Sequence, residues 1–64
     1  MSESLDQLAD EVAALEQRVS EAIFGAVRAQ LRASDTDAAD LEKRLAKVRR
    51  SLVKAEALLR GAAD

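Results

Sequence analysis

From Leu5 onward, the apolar residues Leu8, Val12, Leu15 and Val19 follow one another at alternating steps of three and four. That period is close to the 3.6 residues of a helical turn. It gathers these side chains on one face of an amphipathic helix and does not fit the two-residue period of a strand. The stripe runs on through Ile23, Ala26 and Val27 toward Leu31. A second begins at Leu41 and continues through Leu45, Val48, Leu52, Ala55 and Leu59. Little in the chain opposes helix, since its 64 residues contain no Pro and two Gly, Gly25 and Gly61. The predicted fold class is all-α.

Local signals divide the helix in two. Ser4 and Gln7 have the spacing of a capping box at the start of helix 1, about residues 4–33, and Arg28 and Arg32 suit its negative C-terminal end. The stretch ASDTDAAD, residues 33–40, is rich in side chains that bond their own backbone, which places a turn at about 34–37. Asp35, Thr36 and Asp37 are candidate N-caps for helix 2, about residues 38–60, and Asp40 adds charge to its first turn. Asp40 with Arg44 and Glu56 with Arg60 have i,i+4 spacing in the favourable order, and Gly61 is placed as a stop. A short polar turn between amphipathic helices predicts an antiparallel, coiled-coil-like hairpin spanning 1–64 as one domain. Folding at residues 35 and 36 sets Val12 near Leu59, Val19 near Leu52 and Ile23 near Val48. The competing arrangement is one continuous helix of about 55 residues, roughly 80 Å long at 1.5 Å per residue.

The hairpin by itself leaves apolar surface over. Of the residues that make the chain 48% hydrophobic, fourteen are Ala, and sixteen are larger Leu, Val, Ile or Phe side chains. On the register above, residues 3–9 of helix 1 overrun helix 2 and expose Leu5 and Leu8. The only aromatic residue, Phe24, veers off the main stripe with Val27 and Leu31. On helix 2, Ala39, Ala46, Val53 and Ala57 form a second strip, and Leu58 lies off the seam on the other side. A two-helix hairpin buries one face per helix, so a second face requires more helices. The expected closure is a dimeric four-helix bundle, with Leu5, Leu8, Phe24, Val27, Leu31, Val53 and Leu58 at the association interface. A larger protein partner covering the same strips is the alternative. Gly25 marks either a close helix approach or a tolerated flaw.

Charge is unevenly distributed beneath a net value of −2. Residues 1–25 hold six acids and one base, whereas residues 40–60 hold seven bases and three acids, an asymmetry that favours the antiparallel arrangement. Glu42, Arg49 and Glu56, spaced by seven along a flank, read as interhelical pairing positions. Lys43, Lys47, Arg50 and Lys54 form a stripe about 16 Å long opposite the apolar seam. Such a stripe suits an anionic partner such as nucleic acid, or is the solvated outer face of a helix; no aromatic residue interleaves to stack bases.

The composition narrows the chemistry. The chain has neither Cys nor His, so a thiolate zinc site, a His general base and the Glu-x-x-His pairs of di-iron bundles are excluded. Neither a Gly-rich phosphate loop nor an EF-hand spacing occurs, and we expect no enzyme activity, cofactor or metal. The acidic start and the absence of an 18-residue apolar run lead us to expect a soluble, cytoplasmic protein without a membrane role, and the excess of Arg over Lys hints at a GC-rich bacterial source. The stretch LADEVAALEQRV is similar to the first helix of the small helical chorismate mutases. That family carries an Arg near the position of Ala9 and a third helix, both absent here, so the resemblance does not bring the activity with it. The expected role is a small non-catalytic interaction or oligomerisation module. The alternatives are a nucleic-acid-associated or regulatory protein using the basic stripe, and an antitoxin-like binder that orders on its target.

Overall fold

The computed structural model describes residues 4–33 and 36–63, so the candidate cap Asp35 lies outside the described residues. Two helices, α1 (Leu5–Ala33) and α2 (Thr36–Ala63), pack against each other in a body of 49 × 15 × 14 Å. The continuous helix is excluded, and the all-α antiparallel hairpin is the fold.

Each helix begins and ends for local reasons. The backbone N–H of Gln7 donates to Ser4 Oγ at 3.1 Å, while the backbone N–H of Ser4 donates to Gln7 Oε1, also at 3.1 Å. This reciprocal box satisfies two amides that an open helix end would leave unpaired. At the other end of α1, Arg32 lies in the last turn, where its charge complements the exposed carbonyls. In α2 the bounds differ from the expected 38–60. Thr36 and Asp37 already belong to the first turn, and the helix runs through Gly61 to Ala63. Gly61 is therefore not a stop: helix propensity among Ala, Leu and Arg outweighs the cost of one glycine.

The longer α2 also corrects the overhang expected at the start of α1. Arg60 reaches Asp10, Leu8 is half-buried rather than exposed, and Ala9 is fully buried at 0% exposure. Leu5 stays exposed. Polar pairs that cross the hairpin include Asp10 with Arg60, Glu16 with Glu56, and Ser20 with Arg49. All fall within two positions of the register that pairs 12 with 59 and 19 with 52.

Gly25 sits mid-helix with nothing within 4 Å of where a Cβ would be. The hairpin itself gives no reason for a glycine there. Gly25→Ala should stabilise the fold by up to ~1 kcal/mol, chiefly by restricting the unfolded chain. In a 64-residue chain that corresponds to a thermal midpoint higher by roughly 4–8 °C. A lower midpoint would instead place another helix against this position.

Candidate association surface

The helix–helix seam is made of small and polar residues as much as large apolar ones. Written as heptads with core positions a and d, α1 places Ala9, Glu16, Ile23 and Gln30 at a, and Val12, Val19 and Ala26 at d. In α2, Glu42, Arg49 and Glu56 occupy a, and Ala38, Leu45, Leu52 and Leu59 occupy d. Apart from exposed Arg49, these positions are buried or half-buried. This revises the expectation for α2. Glu42, Arg49 and Glu56 lie in the seam and not along a flank, while Leu41 and Val48, expected in it, are 49% and 45% exposed.

The a half of the seam is held by polar contacts. Arg49 Nε donates to Ser20 Oγ at 2.7 Å. Arg60 Nη2 meets Asp10 Oδ1 at 3.0 Å, and Arg60 Nε meets Glu56 Oε2 at 2.7 Å, the expected i,i+4 pair. These ion pairs are partly exposed, so each contributes little to stability, but together they fix the register.

Between them, the Glu16 carboxyl pairs with that of Glu56, and Glu16 Oε2 is buried without a hydrogen bond. Its hydrogen bond to Glu56, partial burial and the neighbouring negative charge hold the Glu16 carboxyl above the usual range. Glu56, which accepts from Glu16 and from Arg60, is held below it.

The d half is apolar and borders an apolar flank. In an antiparallel pair the g positions of both helices fall on the same side. Here they are Leu8, Leu15, Ala22 and Ala29 on α1, and Leu41, Val48, Ala55 and Ala62 on α2. No charged or polar side chain occupies a g position in either helix. The e positions on the other side are mixed: Ala13, Ser20 and Val27 on α1, and Ala39, Ala46, Val53 and Arg60 on α2. The α2 stripe read from the sequence is thus a d and g stripe throughout, and so is the α1 stripe from Leu5 to Val19, both rolled toward one side of the hairpin; beyond Val19 the α1 stripe crosses through Ile23 at a to Val27 at e.

The expected interface residues are consequently divided. Val27 and Val53 flank the polar half, with Phe24 and Leu31 further out on the same side at 63% and 82% exposure. Leu8 belongs to the opposite, apolar side, Leu5 to the helix end, and Leu58, 66% exposed, to the outer surface of α2. Sequence patterning missed Leu15, Leu41 and Val48 as surface residues because they sit on the main stripes and read as core.

Lys43, Lys47, Arg50 and Lys54 are all exposed along the outside of α2, as their spacing requires. A shallow depression of about 320 Å³ near the turn is lined by Arg28, Leu31 and Arg32, and a second of about 230 Å³ by Asp37, Asp40, Leu41 and Arg44. Among the described residues, no three acids converge as a metal cage, and no helix is long and apolar enough to cross a membrane. No family model, curated protein or solved structure matches the chain.

Proposed function

We propose that the chain is a non-catalytic association module of the cytoplasm, a hairpin that assembles with itself to complete a core it lacks alone. One observation carries this reading. Among the described residues, the only buried apolar side chains are Ala9, Ala26 and Ala38, and no large side chain is fully buried. Eight large apolar side chains, including Phe24, Leu41 and Val48, remain exposed. A chain this short has a marginal core even when packing is complete. Burial of Leu and Val is worth about 1.5–3 kcal/mol per side chain when complete, so a second hairpin covering one of the exposed apolar sides adds the missing apolar burial.

The test is solution mass by light scattering with refractive-index detection, because a chain without Trp or Tyr is nearly invisible at 280 nm. The expected mass is twice 6.9 kDa. A folded monomer at micromolar concentration overturns the proposal.

A further inference from the structure

Resting on that reading, we propose that the second copy docks on the d and g side of the hairpin, not on the Phe24 side. Its α1 lies over α2 of the first copy, with the twofold axis parallel to the helices. The roll of the two stripes is the first argument. In a hairpin whose core is complete, the apolar stripes face each other squarely across the seam. In a four-helix bundle each stripe points at the common axis, turned away from its neighbour in the hairpin and toward the other pair. The α2 stripe along its whole length, and the α1 stripe from Leu5 to Val19, are rolled in this second way, both to the same side. Leu15, Ala22, Leu41 and Val48 are exposed while polar Glu16, Glu42 and Glu56 occupy the seam.

The second argument is size. A footprint of 49 × 15 Å gives about 700 Å² for each copy, close to the ~800 Å² per partner of a standard stable interface.

Charge supplies the third argument and selects the arrangement. The described part of α1 carries five acids and three bases, whereas that of α2 carries four acids and seven bases. With α1 over the partner's α2, every helix neighbours only helices of opposite net charge and opposite direction. The alternative twofold axis, perpendicular to the helices, stacks α1 on α1 and α2 on α2, setting acidic against acidic and basic against basic. Two identical hairpins satisfy the first arrangement with no other partner.

Two cysteine variants of the otherwise cysteine-free chain test face and arrangement separately from self-association. Ala22→Cys lies at the middle of the d and g side and is exposed in the single hairpin, as is Ala57→Cys on the opposite side. In a sample shown to be dimeric by mass, the thiol introduced at position 22 should react with a disulfide reagent about an order of magnitude more slowly than the thiol introduced at position 57. Equal rates in a dimer overturn the proposed face and leave self-association standing; a monomeric chain overturns both.

For the arrangement, a spin label on Leu31→Cys, at the turn end and away from the face, reports the distance between copies. Turn ends together give a separation under about 30 Å, set by interhelix spacings of 8–10 Å. Turn ends apart give more than about 40 Å at 1.5 Å rise per residue and overturn the parallel axis.

Discussion

Replacing Ala9 by leucine should lower the thermal midpoint of the protein sharply, although the change adds apolar volume to an apolar position. Ala9 has no exposed surface, and it sits where the last turns of α2 close over the start of α1. The most deeply buried seam positions among the described residues are all alanines, Ala9, Ala26 and Ala38, which leave little room for a larger side chain. Three extra carbons at such a point must displace the neighbouring helix or leave their preferred rotamers, at a cost of about 1–3 kcal/mol. For a domain of this length each kcal/mol shifts the midpoint by roughly 4–8 °C. Displacing α2 would also lengthen the 3.0 Å contact of Arg60 with Asp10. The control is the same substitution at Ala14, which is exposed and should stay within about 0.5 kcal/mol of the parent. Melting followed by far-UV circular dichroism compares the two. A stabilised Ala9→Leu variant would show that the helix ends are not close-packed and would remove the alanine account of the seam.

Those alanines also show what a sequence reveals about such a fold and what it conceals. The stripes, the capping box at Ser4 and Gln7 and the register were legible because each depends on local spacing or on counting along the chain, while residues 34 and 35 of the expected turn lie outside the described residues. The use of each stripe was not. A helical wheel gives the direction of an apolar stripe, while the direction of contact depends on how many helices share the core. Leu41 and Val48 therefore read as seam, although in the hairpin they stand beside it. Glu42, Arg49 and Glu56 read as flank because charged residues are usually excluded from core positions. Their interval of seven was the available signal, since it is the interval of the seam itself. Ala9 and Ala38 gave no signal, because alanine fits both solvent and core. The exposed apolar residues were half legible for the same reason: Phe24 and Leu31 depart from the main seam and read as surface, whereas Leu15 and Val48 were hidden by lying on the stripes.

The carboxyl pair in the seam leads to a second effect, one whose size depends on pH. Glu16 and Glu56 face each other, with Arg49, Arg60 and Asp10 as the charged groups around them. With its carboxyl held above the ordinary 4.5, Glu16 binds more proton when folded than when unfolded as pH falls toward that value. Stability from this residue therefore grows on mild acidification and is lost as pH rises through the raised value. Glu56, held below 4.5, acts in the opposite sense: its contribution is present above the ordinary value and is lost as pH falls through the lowered one. Together they give a maximum near the ordinary glutamate pKa, where Glu16 carries the proton and Glu56 the charge. Glu16→Gln keeps a donor toward Glu56 at every pH and removes the like charge. The variant should melt above the parent at pH 7, and the gap should narrow as pH falls toward the ordinary glutamate range. High salt should narrow the gap at pH 7, because the pair is only partly buried. A constant gap across this range would mean that Glu16 keeps its charge throughout, held by Arg49 and Arg60 instead of sharing a proton with Glu56.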